Sequence, residues 1–242
     1  MSYNKVNFSQ CLSHMKEKPK RILVVGCGDK CEDVKAIVDE LGSSVIIHGV
    51  DIIDNIGSGY INDNVLYIKA DASNLPICSE YYDLAYSFAT FEHIKDVHKA
   101  WQCMVNVLKP GGMLWTVASP VWTSPFGHHK SDIFKKYPYI HLKYPTPADL
   151  LSFCKDNDIK SNDSTDIVHH INYMLHDDYF NKLKPKFYLE AANALENLNI
   201  LKNTFDCVED FYLNHASDLI EIGAYEKDDL LSITHRLCGL KI

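Results

Sequence analysis

Arg21-Ile22-Leu23-Val24-Val25-Gly26-Cys27-Gly28-Asp29 is the stretch whose reading decides the fold. Four apolar β-formers run straight into a glycine pair. A continuous apolar run of this length reads as a strand buried on both faces, hence a central parallel strand. Gly26 and Gly28 allow a tight turn and a close approach of a ligand to the backbone. An amphipathic helix follows, with Val34, Ile37, Val38 and Leu41 on one stripe and Gly42 at its end. The next strand, Val45–Val50, ends in Asp51. Strand, glycine turn, helix, strand and acid make the first half of a nucleotide-binding α/β domain, with Asp51 placed to accept from a ribose.

The rest of the first 120 residues repeats the alternation. Val65–Ala70 reads as a third strand ending in Asp71, and Tyr82–Ser87 as a fourth. Val97, Ala100, Trp101, Met104, Val105 and Leu108 fall on one helical face. Pro110-Gly111-Gly112 predicts a turn, with a fifth strand over Met113–Ala118. Such alternation implies a parallel sheet with right-handed crossovers, so the strand C-termini open onto one ligand-binding edge. Gly26–Asp29, Asp51, Asp71, Ser87–His93 and the chain from Ser119 belong to that edge.

Composition narrows the function classes. The chain has 242 residues, enough for one large α/β domain, and 24 Lys and Arg against 32 Asp and Glu give a net charge of −8. That balance argues against a protein built to grip nucleic acid. No apolar run reaches the roughly 18 residues of a membrane span, and the polar stretch 1–20, read as a short lead-in helix or arm, shows no signal-peptide core. Eight cysteines without a Cys-x-x-Cys pair read as reduced thiols, so a cytoplasmic location is expected.

The glycine loop lacks the third glycine of a dinucleotide fingerprint, since Cys31 stands there; this disfavours an oxidoreductase. The whole constellation instead resembles the class I S-adenosylmethionine-dependent methyltransferases, within the small-molecule group carrying Glu-His-Ile after the fourth strand. The matching segments are Val25-Gly26-Cys27-Gly28, Gly49-Val50-Asp51, Ala70-Asp71-Ala72 with Leu75-Pro76, Tyr82-Asp83-Leu84, Phe91-Glu92-His93-Ile94 and Val107–Gly112, over roughly residues 20–120. The resemblance implies a Rossmann-like α/β fold: a central, mostly parallel seven-stranded sheet flanked by helices, in a single domain over 1–242. It implies S-adenosyl-L-methionine as cofactor and S-adenosyl-L-homocysteine as product. By position, Gly26, Cys27 and Gly28 would face the methionine end and ribose. Asp51 would take the ribose hydroxyls, Ile52 would lie against adenine, and Asp71 and the Ala72 N–H would meet its edge. Ser87 and Phe88 would lie under the methionyl part. Two positions depart from the family pattern: Val24 replaces an acid, and Lys30 replaces the third glycine of the family's own loop.

From Ser119 the pattern changes. Residues 119–145 are aperiodic and read as a long lid or acceptor loop. Thr146-Pro147-Ala148-Asp149 opens a helix. Residues about 170–225 read as a helical insertion broken at Lys184-Pro185, with a last strand near Leu230–Leu240. Tyr173, Met174, Leu175, Tyr179 and Phe180 there read as core.

The methyl of a sulfonium is already activated. The protein then has to align acceptor and methyl and, for a hydroxyl acceptor, remove a proton. His128 and His129, in Pro125-Phe126-Gly127-His128-His129, are the candidate bases, with His93 behind them. The loop resembles members of the group associated with O-methylation of bacterial surface glycans and natural products. His128, His129, Lys130, Lys135, Lys136, His141 and Lys143 against Asp132 form a positive patch that suggests an anionic acceptor, such as a phosphorylated or nucleotide-linked sugar; a solvated lysine-rich loop is the plainer reading. No metal is expected, since adjacent histidines rarely share one ion and no His-x₃-His or Cys-x₂-Cys spacing occurs. The expected function is methyl transfer to a small molecule by a monomer or homodimer, without membrane insertion. Methylation of a phosphate- or phosphoramidate-type group, N- or C-methylation of another metabolite and a non-catalytic nucleotide-binding scaffold are the alternatives.

Overall fold

The computed structural model describes residues 2–242; Met1, the first residue of the polar lead-in, lies outside the described residues. In chain order the elements are α1 (Tyr3–Ser13), β1 (Arg21–Val25), α2 (Glu32–Leu41), β2 (Ile46–Asp51), β3 (Val65–Lys69), β4 (Tyr82–Phe88), α3 (Val97–Val107) and β5 (Leu108–Ala118). Then come α4 (Ser131–Phe134), α5 (Ile140–Lys143), α6 (Pro147–Asp156), α7 (Ile167–Leu175), α8 (Pro185–Asn193), β6 (Leu198–Cys207), a 3-10 turn, α9 (Ser217–Glu221), α10 (Lys227–Leu231) and β7 (Ser232–Lys241). The strands make one seven-stranded sheet in the order β3-β2-β1-β4-β5-β7-β6. It is parallel from β3 through β5. Bonds from Ile242 N to Asn197 O and from Val208 N to Leu231 O pair β6 and β7 antiparallel. No helix among the described residues is long and apolar enough to cross a membrane.

The chain divides into two compact units: Met1–Ala118 with Leu189–Thr204 and Arg236–Ile242, and Ser119–Tyr188 with Phe205–His235. In the first, the expected elements form for the expected reasons. α2 buries Val34 and Ile37 and ends where the Gly42 N–H, at φ +84°, returns to Val38 O. α3 is capped by the Asp96 side chain, which accepts from Lys99 N, and it buries Val97, Ala100, Trp101, Met104 and Val105. Trp101 stacks on Phe91 with centroids 5.0 Å apart, and its Nε1 donates to Thr116 Oγ1 at 3.1 Å. Full burial of side chains of this size stabilises by about 1.5–3 kcal/mol each.

Two expectations need correction. Pro110-Gly111-Gly112 does not separate a turn from a strand. β5 already pairs at Leu108 with Tyr82, and the next pair is Leu84 with Met113, so four residues oppose the single Asp83. Gly111 takes φ +77°, and a Cβ on Gly112 would press Lys109 O and Tyr82 O. Turn chemistry here makes a bulge inside a longer strand. Asp83 anchors it, accepting from Lys20 N and Arg21 N at 2.9 Å each and pairing with Lys109. The helical insertion is also interrupted, because Leu198–Cys207 is a strand. β6 ends the sheet order, with one neighbour only, and its Asn and Lys residues hide the alternation that would have marked it.

The second unit surrounds its own core of Trp122, Phe134, Tyr139, Ile140, Leu150, Ile171, Met174, Phe180 and Leu219. Residues 119–145, expected as an irregular loop, hold α4 and α5, and Val121 to Ser124 are buried. Aromatic packing without a helical or strand period shapes this segment. α6 starts as expected, with Thr146 Oγ1 accepting from Asp149 N and Pro147 in the first turn.

A polar network lies inside the first unit. Asn7 Nδ2 donates to Tyr86 OH at 2.7 Å, Trp115 Nε1 to Asn7 Oδ1 at 3.3 Å, and Asn4 Nδ2 to Asp33 Oδ1 at 2.8 Å. Burial pushes the Asp33 carboxyl up to about 6, against hydrogen bonding from Asn4. A carboxyl raised in the folded state stabilises below its unfolded pKa of 3.8, and that contribution is lost as pH rises through 6. Asp33→Asn should therefore raise Tm more at pH 8 than at pH 4.5, by an amount on the order of 1–3 kcal/mol in stability. Melting curves at the two pH values check it, and an equal shift at both would refute the buried-carboxylate account.

Candidate functional site

The strand C-termini of the first unit are stitched together at the glycine loop. Gly26, at φ +80°, and Cys27 both direct their N–H groups at Val50 O, at 2.8 and 3.4 Å. Gly28, at φ +63°, donates its N–H to Asp51 Oδ2 at 2.9 Å. Asp51 Oδ1 accepts from Ile52 N at 2.7 Å and Ile53 N at 3.4 Å. Asp51 O in turn accepts from Ala70 N at 2.9 Å, which ties the end of β3 to the end of β2. A carboxylate has about four acceptor positions, so Asp51 orders the loop and keeps capacity for a ligand hydroxyl.

Beside it, Asp71 Oδ1 accepts from the Ser73 N–H and hydroxyl, both at 2.7 Å, and these bonds hold its carboxyl below the usual range. Among the described residues Asp71 Oδ2 and the Ala72 N–H make no hydrogen bond. An acceptor and a donor one residue apart suit the edge of a purine carrying an amino group. Ile52 is 67% exposed next to Asp51, an apolar surface where an aromatic base would otherwise lack a wall.

Other expected site residues serve the scaffold. The Cys27 thiol packs toward Gly49 and Tyr67, where burial pushes its pKa up. Ser87 is fully buried and donates to Val25 O at 2.9 Å, pinning β4 to β1. Phe88 packs half-buried against the core of the first unit. His93, half-exposed, donates its N–H to Thr90 O at 2.9 Å, and its Nε2 lies 4.0 Å from Glu92 Oε1.

Two features of the rim escaped the sequence reading. The segment after β2 folds back on the glycine loop, with Gly57 N on Gly28 O at 3.3 Å and Gly59 N on Asp29 O at 2.8 Å. A Cβ on Gly57 would strike the Tyr67 ring, and one on Gly59 would strike Asp29 O. The Gly57-x-Gly59 spacing was a usable signal. Thr90 is the second, lying directly against Gly26; a lone threonine after a strand carries no sequence signal.

His128 and His129 belong to the second unit. His128 is fully buried, and its Nδ1 accepts from Lys130 N at 3.0 Å. The ring proton is therefore on Nε2, and the basic lone pair is already engaged. Burial, then His141 and His129, hold its pKa well below the ordinary value. His141 is buried too, lowered to about 3, with Nε2–H donated to Trp122 O at 2.7 Å. His129, at φ +58°, donates Nε2–H to Pro120 O at 3.0 Å, which places its lone pair on Nδ1. The positive patch shrinks accordingly: His128 and His141 are neutral, and Lys143 pairs with Asp218 at 3.0 Å. Lys130, 5.0 Å from the centre of the Tyr173 ring, Lys135 and Lys136 remain.

Comparison with known proteins bears on the first unit. Residues 23–116 match a protein family described as a methyltransferase domain. The ubiquinone/menaquinone biosynthesis C-methyltransferase UbiE of Vibrio vulnificus is 32% identical over 94 residues, 37% of this chain and 36% of that protein. UbiE of Proteus mirabilis is 32% identical over 97 residues, 38% of this chain and 39% of that protein. The match thus spans little more than a third of these relatives. Among solved structures, an S-adenosylmethionine-dependent methyltransferase from Mesorhizobium loti aligns with TM-score 0.55 and 15% identity, covering 97% of each chain. The plantazolicin methyltransferase BpumL in complex with S-adenosylhomocysteine gives 0.56 and 13%, covering 99% of this chain and 82% of that one. Phosphoethanolamine N-methyltransferase 2 of Haemonchus contortus, in complex with S-adenosyl-L-methionine, gives 0.57 and 12%, covering 98% and 52%. At such identities the structural likeness speaks for the fold. The sheet in the order 3-2-1-4-5-7-6 and the acid-clasped glycine loop give the chain a Rossmann-like methyltransferase fold, and residues 23–116 are similar to a methyltransferase domain.

Proposed function

We propose that the protein transfers a methyl group from S-adenosyl-L-methionine to a small-molecule acceptor. The observation that carries this reading is the rim of the first unit, where Asp51 clasps Gly28 and, among the described residues, both Asp71 Oδ2 and the Ala72 N–H make no hydrogen bond. Gly26 and Gly28 give backbone access, Asp51 meets the ribose, and Ile52, Asp71 and Ala72 frame adenine. The bound cofactor supplies an electrophilic methyl; the protein's own residues hold it and orient the acceptor.

We further propose a hydroxyl as the acceptor, on a sugar or a phosphorylated or nucleotide-linked precursor of a bacterial surface polysaccharide. Oxygen needs a proton removed as it attacks, and His129 is the base this reading assigns, with His93 second. Lys130, Lys135 and Lys136 are the cations left for an anionic substituent. The relatives named as C- and N-methyltransferases favour carbon or nitrogen as the second reading for the acceptor atom.

Isothermal calorimetry tests the cofactor assignment: S-adenosylhomocysteine should bind and NAD should not. Asp51→Ala should weaken that binding at least tenfold, since a charge-assisted bond to the loop and a ribose partner go together; an unchanged Kd removes the assignment. Methyl transfer from labelled cofactor across phosphorylated and nucleotide-linked sugars identifies the acceptor. With it in hand, His129→Ala should lower kcat by roughly 10²–10⁴ while leaving cofactor affinity intact. A variant as fast as the parent chain would eliminate His129 as the base.

A further inference from the structure

Thr90 lies against the first glycine of the loop. A Cβ built on Gly26 would lie 2.0 Å from Thr90 Oγ1, so the hydroxyl fills the space that any other residue at position 26 would need. Among the described residues its one hydrogen bond is the donation to Phe88 O at 3.3 Å. That bond uses the hydroxyl's hydrogen, and what Oγ1 presents to anything else is lone pairs. The backbone on either side is fixed. Ala89, at φ +52°, donates its N–H to Val117 O at 2.8 Å, and Thr90 O receives the His93 N–H at 2.9 Å.

The position of this oxygen along a bound cofactor follows from the strand order. Asp71 follows β3, Asp51 ends β2, Gly26 follows β1 and Thr90 follows β4, and these strands are neighbours in the order β3-β2-β1-β4. With adenine beside Asp71 and ribose beside Asp51, the amino-acid end of the cofactor runs on past Gly26 toward Thr90. Its ammonium group brings three hydrogens and needs acceptors. Val24 is apolar and buried, and the Asp51 carboxylate is turned to Gly28, Ile52 and Ile53. We infer that Thr90 is a cofactor-binding residue whose Oγ1 accepts a hydrogen bond from the ammonium of S-adenosylmethionine, an inference that rests on the cofactor reading above.

Calorimetry on the full chain with two probes separates the inference from that reading. S-adenosylhomocysteine has the amino-acid end, and 5′-methylthioadenosine lacks it. Thr90→Val keeps the shape and removes the oxygen. It should weaken S-adenosylhomocysteine binding about tenfold or more, as for a lost bond to a charged group, while 5′-methylthioadenosine stays within about twofold. Thr90→Ser should restore most of the loss. If Thr90→Val binds S-adenosylhomocysteine as the parent does, or weakens both probes alike, Thr90 only packs and the inference fails with the cofactor reading intact. If the parent chain binds neither probe, the cofactor reading fails and takes the inference with it.

Discussion

The clasp between the Asp51 carboxylate and the Gly28 N–H is the interaction on which the candidate site depends. A parallel sheet leaves its strand C-termini with carbonyls and amides that need partners. Here Val50 O takes two N–H groups from the glycine loop, and the Asp51 side chain takes a third. Bonds to an ionised acceptor are worth about 1.5–3 kcal/mol each. Together with the bonds to Val50 O they hold Gly26 and Gly28 at positive φ, where other residues would be strained. The loop is thus ordered before any ligand arrives, and binding does not have to meet that entropic cost.

The second unit shows the opposite use of polar groups. His128 and His141 are buried and neutral, and each has one ring nitrogen on a backbone atom. Each also retains a buried nitrogen with no hydrogen bond among the described residues, His128 Nε2 and His141 Nδ1. These rings lie 5.0 Å apart, one offering a hydrogen and the other a lone pair. In the sequence, seven basic side chains in seventeen residues read as a field of charge. Burial removes two of those charges and an ion pair offsets a third, so a count of histidines and lysines overstates the electrostatics of this segment.

What was legible in the sequence was what local physics decides. α2 and α3 follow from apolar spacing and from Gly42 and Asp96 at their ends; α6 follows from Thr146 and Pro147. The rim was legible because glycine and aspartate at strand ends have few other reasons to be there. Direction was not legible: Ser87 and Cys27 sit at the right positions, but one pins two strands and the other packs against Gly49. The bulge at Pro110–Gly112 failed because the same residues suit a free turn, and only pairing with Tyr82 distinguishes the two. β6 and the core of 119–145 failed because neither has a period. Their form is set by partners far away in the chain.

The division between legible and illegible parts also bears on chemistry. The matched stretch, residues 23–116, holds the groups proposed above to bind an adenosine-bearing sulfonium. Because that methyl is electrophilic already, the cofactor itself does not change with the acceptor atom. A carbon nucleophile, an amine that is neutral when it attacks and a hydroxyl differ mainly in whether a proton must leave during attack, and so in the need for a base. The relatives match a little over a third of this chain and of their own length. Their carbon chemistry therefore does not fix the chemistry of this chain. On the function proposed above that base is His129, which holds its Nε2 proton on Pro120 O.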